Sequence, residues 1–226
     1  MHFREENRIN GMGHDAPGGH SEARSSGQTY DRLAARYDRA MRPLERWGLG
    51  RLRAAALGRL PEGARLLEVG AGTGANFALY PRATRAVASE PSGEMLKVAR
   101  DKSAGDGGAR SISLVRARAE QLPFADGAFD AACATLVFCS VASPARAFAE
   151  LRRVVRAGGT VVLLEHVRPA GLLGYAFDAL SLLTVALFED HFNRRTADEA
   201  RAAGLRLLSV EKHLLGAVQI IVCHVE

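Results

Sequence analysis

Cysteine is scarce in this chain. Three occur in 226 residues, Cys133, Cys139 and Cys223, and no two of them form a C-x-x-C pair. This scarcity argues against a disulfide framework and against a zinc site built from paired cysteines. Cys133 and Cys223 fall in apolar, strand-like runs, so we expect buried free thiols and a cytoplasmic protein.

The amino-terminal segment lacks an apolar core. Residues 1–28 are polar and rich in glycine, which predicts a disordered tail and no secretory signal. The three histidines of this tail, His2, His14 and His20, do not have the spacing of a tight metal site. We therefore predict no metal and a single folded domain over residues 29–226.

A block of like charge and a nucleic-acid-binding motif are also missing. The net charge is +5 and the sequence pI is about 9.5, yet the arginines are spread along the chain. We therefore expect no nucleic-acid substrate, and the excess positive charge can steer an anionic small molecule, including a thiolate. With 47% hydrophobic residues, the chain can bury the core of one compact enzyme.

What the chain does contain is a glycine-rich turn. Residues 65–76 read RLLEVGAGTGAN, an apolar strand that breaks into alternating glycines, and Glu90 follows Gly70 by twenty residues. Such a βα turn lets a ligand touch the backbone, and an acid at the end of the second strand can accept hydrogen bonds from ribose hydroxyls. The pair predicts an adenosine-containing cofactor.

Two cofactors compete for this turn. Gly70, Gly72 and Ala75 satisfy the dinucleotide fingerprint G-x-G-x-x-G/A, so a nicotinamide or flavin cofactor is one candidate. Glu68 and the third glycine, Gly74, favour the other, because a carboxylate at the strand tip repels a pyrophosphate. S-adenosylmethionine carries an ammonium, a sulfonium and no phosphate, so we predict S-adenosylmethionine.

The chain also resembles class I methyltransferases of the ubiquinone-biosynthesis and methyltransferase 11 type. Residues 119–130, AEQLPFADGAFD, are similar to the signature A-E-x-L-P-F-x-D-x-x-F-D, and the resemblance runs from about residue 30 to residue 166. It implies that Glu68 lies near the methionine amino group, that the glycines underlie the cofactor and that Glu90 holds the ribose.

The same resemblance assigns the adenine end of the site. Ala119 and Glu120 flank the adenine in this interpretation. Arg118 is a departure, since the family usually has an acid there that binds the adenine amino group, so recognition would rest on the backbone around Ala119. The predicted cofactor-binding residues are Tyr37, Glu68, Gly70, Ala71, Gly72, Gly74, Asn76, Glu90, Pro91, Met95, Ala119, Glu120, Leu136 and Val141.

An amphipathic helix precedes the glycine turn. Its apolar positions recur at three- and four-residue steps: Tyr30, Leu33, Tyr37, Met41 and Leu44. Arg32, Arg36 and Arg39 take other faces, where a solvated surface is the favoured interpretation and a membrane or partner contact is the alternative. The family resemblance implies that this helix covers the cofactor, with Tyr37 as a lid residue or else as a core aromatic.

Strands and helices then alternate, which predicts a doubly wound, Rossmann-like α/β sheet with helices on both faces. We expect seven strands, five of them parallel, followed by an antiparallel hairpin with Gly216 in its turn. The predicted strands are 64–69, 85–90, 111–116, 129–136, 159–165, 205–212 and 217–225, and the predicted helices are 75–80, 92–103 and 144–156.

One segment departs from this alternation. Residues 170–188 are almost entirely apolar, but Asp178 interrupts them and their length is marginal for a membrane span. We favour an insertion over residues 170–196 that covers the substrate, with an interfacial membrane helix, and so a peripheral membrane contact, as the alternative. The predicted substrate-binding residues are Tyr30, Phe138, Tyr175 and Phe192.

Three short blocks resemble the mammalian alkyl thiol methyltransferases of the methyltransferase-like group. They are residues 135–141 (TLVFCSV), 165–167 (EHV) and 193–196 (NRRT). The resemblance implies S-methylation of a small-molecule thiol. The mammalian proteins carry a hydrophobic membrane anchor where this chain has its polar tail, so membrane residence is not implied.

A thiol acceptor needs little general-base assistance, since a thiol supplies some thiolate near neutral pH. His166 and His191 are the candidate catalytic residues that would orient or deprotonate the acceptor, although His166 could serve only the core and His191 only the surface. The alternatives are C- or O-methylation of a quinone- or polyketide-like ring, N-methylation of a phospholipid, and a cofactor-binding sensor without turnover. No feature of the sequence indicates the oligomeric state.

Overall fold

The computed structural model describes residues 22–105, 111–168 and 194–226. Its centre is a seven-stranded sheet of order β3-β2-β1-β4-β5-β7-β6. Strands β1 to β5 run parallel, and β7 pairs antiparallel with both β5 and β6, so the predicted fold is confirmed. The strands are β1 (Arg65–Val69), β2 (Arg85–Ser89), β3 (Ser111–Val115), β4 (Phe129–Thr135), β5 (Val155–His166), β6 (Leu205–His213) and β7 (Val218–Val225).

Helices cover both faces of the sheet. The α-helices are α1 (Glu22–Leu44), α2 (Gly50–Leu57), α3 (Gly93–Gly105), α4 (Pro144–Val154) and α5 (Thr196–Ala202). A π-helical turn, Glu45–Leu49, joins α1 to α2, and short 3₁₀ turns occupy Phe77–Leu79 and Leu214–Gly216. Within the described part of the chain, no helix combines the length and apolarity needed to cross a bilayer.

The central strands are buried on both sides, as expected when helices pack on each face of a parallel sheet. Leu67 of β1 faces one apolar layer together with Phe148 of α4. Leu66 faces the other layer together with Leu57 of α2. The three cysteines are buried and form no disulfide bond, which agrees with the prediction for Cys133 and Cys223.

Three of the differences from the predicted boundaries have a clear local cause. The helix expected at 75–80 is only the turn Phe77–Leu79, because Tyr80 precedes a proline and takes an extended conformation. Helix α1 begins at Glu22, inside the predicted tail, since good helix formers at its start outweigh the nearby glycines. Strand β5 begins at Val155, because a register shift opposite β4 accommodates the two glycines that follow.

The sheet order indicates which edge of the sheet would bind a ligand. Strands β2 and β3 extend from β1 in one direction, and β4 and β5 extend in the other. In open α/β sheets, ligands bind beyond the carboxyl ends of the strands at such a reversal. The glycine turn follows β1 at this point.

Candidate functional site

An open cleft lies at the carboxyl ends of β1, β2 and β4, beneath α1, and encloses about 950 Å³ when the space at its solvent-open mouth is included. The predicted residues that line it are Tyr30, Tyr37, Gly70, Ala71, Gly72, Glu90, Pro91, Met95, Ala119, Glu120, Leu136 and Val141. The structure therefore brings these predicted residues together in one cleft.

The glycine turn has a shape that other residues cannot adopt easily. Gly70, Gly72 and Gly74 have φ values of 67°, 55° and 79°, in the left-handed region. A Cβ at Gly70 would lie 2.5 Å from Val137 Cγ2, and one at Gly74 would lie 2.5 Å from Phe77 Cε2. A Cβ at Gly72 would meet no atom within 4 Å, so this position opens onto the cleft and lets a ligand approach the backbone.

Glu90 fixes the second side of the turn. Its carboxylate accepts hydrogen bonds from the backbone N–H groups of Gly72 at 3.0 Å and Ser92 at 2.9 Å. Each oxygen keeps acceptor capacity, so the carboxylate can still bind two ribose hydroxyls. Burial raises the pKa of Glu90 above its usual value.

At the predicted adenine end of the cleft, Glu120 binds two backbone N–H groups and pairs with Arg118. Glu120 Oε1 accepts hydrogen bonds from the backbone N–H groups of Ala142 at 3.0 Å and Ser143 at 3.3 Å. Arg118 Nε lies 3.6 Å from Glu120 Oε2. Arg118 thus forms an ion pair at the position where an acid was expected, and recognition of adenine by the backbone around Ala119 stays a prediction.

Helix α1 is fastened to the rim of the cleft. Thr73 Oγ1 donates a hydrogen bond to Asp38 at 2.6 Å, and the Ser92 hydroxyl donates to Asp31. Tyr30 and Tyr37 form an edge-to-face pair with ring centroids 6.5 Å apart, and both line the cleft. The helix therefore covers the cleft, and its role as a cover for the cofactor stays a prediction.

Glu68 is placed differently from its predicted position beside the methionine amino group. It is 1% exposed and lies behind the turn, where Asn76 Nδ2 donates to Oε1 at 2.6 Å and the Tyr80 hydroxyl donates to the other oxygen. Burial raises its pKa to about 7. Glu68 thus supports the turn from beneath, and its supposed repulsion of a pyrophosphate is not a reason to exclude a dinucleotide.

Three other predicted residues lie outside the cleft lining. Asn76 is buried behind the turn with Glu68, and Gly74 packs against an aromatic ring. Phe138, predicted to bind substrate, is fully buried and stacks on Phe148 at a centroid distance of 4.2 Å. It belongs to the core, because the chain turns it away from the cleft immediately after Val137.

Arg53 is a lining residue that the sequence reasoning missed. Its guanidinium donates from Nη1 to Asn76 Oδ1 at 3.2 Å and to Thr135 Oγ1 at 2.5 Å, and from Nε to Glu45 at 2.9 Å. It is 6% exposed, yet it contributes to the cleft surface. A signal was present, since Arg53 lies on the apolar face of α2, and a charged residue there is rarely buried without a partner.

The loop after β4 forms the opposite wall of the cleft. Leu136 has a φ of 58°, which is unusual for a branched apolar residue. Glu165, fully buried at the end of β5, accepts hydrogen bonds from the N–H groups of Val137 at 3.0 Å and Phe138 at 3.2 Å. Burial raises the pKa of Glu165 to about 8. The acid at the end of an apolar strand was the available signal for this role.

Of the two candidate catalytic histidines, the structure describes only His166, and it does not line the cleft. His166 ends β5, where its backbone pairs with Val218, and it is not among the residues that line the cleft. Burial and, second, the charge of Arg53 lower its pKa, so it is neutral at physiological pH. His191, Tyr175 and Phe192 lie outside the described residues.

Known proteins match this chain in sequence. A family model described as a methyltransferase domain, of type 11, matches residues 67–163. The ubiquinone/menaquinone biosynthesis C-methyltransferase of Pseudomonas paraeruginosa is 32% identical over 176 residues, which cover 74% of this chain and 68% of that protein. A thiol S-methyltransferase of Homo sapiens is 40% identical over 103 residues, which cover 45% of this chain and only 42% of that protein.

The fold also matches solved structures. An S-adenosylmethionine-dependent methyltransferase from Thermotoga maritima superposes with a TM-score of 0.68 at 23% identity, covering 89% of this chain and 100% of that one. This likeness concerns the fold, whereas the sequence matches identify the family. The chain belongs to the class I S-adenosylmethionine-dependent methyltransferases of the methyltransferase 11 type.

Proposed function

We propose that this enzyme transfers the methyl group of S-adenosylmethionine to the sulfur of a small-molecule thiol in the cytoplasm. The observation that carries the proposal is the makeup of the cleft wall: among the described residues that line it, no side chain is a histidine. The two acids there, Glu90 and Glu120, already bind backbone N–H groups. A thiol is the acceptor that least requires a base.

The residues present fit S-adenosylmethionine. Glu90 would hold the ribose, the backbone of the glycine turn would lie beneath the cofactor, and Met95 and Ala119 would contact the adenine. Arg53 supplies a cation that can pair with the methionine carboxylate. The bound cofactor supplies an electrophilic methyl group next to a sulfonium.

The chain's own contribution would be to position the acceptor and exclude water. Leu136, Val137 and Val141 form an apolar wall opposite the glycine turn, and such a wall keeps water from the line of attack. The cation of Arg53 also favours the thiolate form of an acceptor bound nearby. Acceptor choice would depend on residues 170–196, most of which lie outside the described residues.

C-methylation of a quinone-like ring is the second candidate. The relative that supports it, a ubiquinone/menaquinone C-methyltransferase, matches a larger share of the chain than the human thiol S-methyltransferase does. A carbon acceptor depends more on a base, so His166 and His191 would then be essential. For a thiol they would have at most an orienting role.

The deciding experiment offers labelled S-adenosylmethionine together with matched thiol, phenol, quinol and amine acceptors, and identifies the products by mass. Transfer to the thiol, retained in His166→Asn and His191→Asn at a pH above the thiol's pKa, would support the proposal. Methylation of the quinol alone, abolished by either substitution, would establish the second candidate instead. Cofactor binding without turnover of any acceptor would indicate a sensor.

A further inference from the structure

Helix α1 and the π-helical turn separate their charges onto two sides. The five arginines that we call the outer face are all exposed to solvent: Arg32, Arg36, Arg39, Arg42 and Arg46. Arg32, Arg36, Arg39 and Arg46 follow one another at steps that keep them on one side of a helix. In the described part of the chain, none of the five forms an ion pair with a carboxylate.

Three acids of the same segment bind to the body of the protein. Asp31 accepts a hydrogen bond from Ser92, Asp38 pairs with Lys102 at 2.6 Å, and Glu45 pairs with Arg53 at 2.9 Å. Arg53 and Lys102 therefore offset the charges of Glu45 and Asp38, whereas Asp31 has a neutral hydroxyl partner. Asp38 also offsets part of the charge of Arg42, and the other four arginines give the outer face a positive field.

An apolar tip adjoins this outer face. Trp47 is 89% exposed and Leu44 is 54% exposed, although tryptophan is usually among the more buried residues. The helical path breaks at Gly48, whose φ of 151° favours glycine, so Trp47 lies at the bend between α1 and α2. Tryptophan is favoured at membrane interfaces, where its ring meets both lipid and water.

We propose that the outer face of α1, together with Trp47 and Leu44, is a docking surface for an anionic phospholipid bilayer. The charge of the arginines complements acidic headgroups, and the apolar tip reaches below them. A basic surface with one aromatic could also stack a nucleic-acid base, but the apolar neighbour Leu44 favours lipid. Tyr30 and Tyr37 on the inner side of α1 line the cleft, so docking would hold the cleft beside the bilayer.

Trp47 is the only tryptophan of the chain, so the tryptophan fluorescence of the protein measures this contact directly. The full-length protein would be titrated with vesicles of phosphatidylcholine, with and without phosphatidylglycerol. We expect a blue shift of the emission and quenching by brominated lipid only with the anionic vesicles, and both should weaken as salt is added. No spectral change with anionic vesicles would overturn the proposal.

Variants locate the surface. The triple change Arg36→Gln, Arg39→Gln, Arg46→Gln should lower the vesicle partition coefficient about a hundred-fold, at roughly five-fold per charge. The matched control, Arg85→Gln, Arg201→Gln, Arg206→Gln, removes three exposed arginines from other elements and should bind like the wild type. Retained binding of S-adenosylhomocysteine checks that each variant is folded.

Two further outcomes contradict the proposal. Equal loss of binding in both triple variants would mean that net charge alone governs it. Quenching of Trp47 by a single-stranded oligonucleotide, with no response to anionic vesicles, would identify a nucleic-acid surface.

Sedimentation with vesicles tests Trp47→Ser, which should bind more weakly than the wild type while keeping its dependence on salt.

Discussion

Two loops form facing walls of the cleft, and each has a buried glutamate behind it. The glycine turn after β1 takes its shape from glycines with positive φ, and Glu68 supports it through Asn76 and Tyr80. The loop after β4 has a leucine in the left-handed region, and Glu165 holds it through two backbone N–H groups. One wall is thus set by the backbone freedom of glycine, and the other by a single buried side chain.

The hydrogen-bond partners of the two glutamates differ in whether they can accept a hydrogen bond as well as donate one. A tyrosine hydroxyl can donate or accept a hydrogen bond, so Glu68 has one adaptable partner. Both partners of Glu165 are backbone N–H groups, which only donate. The loop after β4 is therefore the wall that depends on an ionisable acceptor.

The largest expected effect tests the glycine turn. Gly70→Ala adds a Cβ 2.5 Å from Val137 Cγ2 at a φ of 67°, so strain and overpacking together should cost about 2–5 kcal/mol of unfolding free energy. Gly72→Ala at a φ of 55° meets no neighbouring atom and should lose only about 1–2 kcal/mol, while its methyl group hinders the cofactor. Chemical denaturation measures both changes, and equal losses would contradict the packing argument.

The next effect concerns the ribose acid. Glu90→Ala removes the acceptor for two ribose hydroxyls and for the N–H groups of Gly72 and Ser92, so calorimetry should show S-adenosylhomocysteine binding weakened about a hundred-fold or more. Glu94→Ala, an exposed acid four residues later, is the matched control and should bind normally. Unchanged binding in Glu90→Ala would remove the ribose assignment.

The contrast between the two walls explains which site residues could be predicted from the sequence. The turn at Gly70, Gly72 and Gly74 was recognised because few other residues adopt its conformation, and Glu90 was recognised because it ends the second predicted strand, twenty residues after Gly70. The roles of Arg53 and Glu165 depend on partners far away in the sequence, which no local pattern contains. Glu68 was correctly linked to the turn but given the wrong surroundings, because spacing does not say which side of a turn a strand-tip side chain takes.

A smaller effect tests the loop after β4. Glu165→Gln replaces one acceptor with an amide donor, so the N–H of Val137 or Phe138 loses its partner at a cost of about 1–3 kcal/mol. Because this loop lines the cleft, binding of S-adenosylhomocysteine should weaken about ten-fold at pH 8.5, where the wild-type carboxylate is ionised. Glu68→Gln is the control, since the Tyr80 hydroxyl can accept from the new amide. If Glu68→Gln weakened binding as much as Glu165→Gln, the distinction between the walls would fail.

The last effect is a change in the pH dependence of stability. Burial raises the pKa of Glu68 to about 7 and that of Glu165 to about 8, from an ordinary value of 4.5. Between about pH 4.5 and 8 the folded protein therefore holds protons on these two carboxyls that the unfolded chain has released, so their contribution to the free energy of unfolding falls as the pH rises through this window.

Each group contributes at most about 1.4 kcal/mol per pH unit to this slope, because it exchanges a single proton. Urea unfolding at a series of pH values should show Glu68→Gln flattening the slope up to about pH 7, and Glu165→Gln flattening it up to about pH 8. Glu211→Gln, on the edge strand β6, should keep the wild-type slope. A slope that both buried substitutions left unchanged would mean that these carboxyls are ionised in the folded protein, and the wall after β4 would then be held by a charge throughout the physiological range.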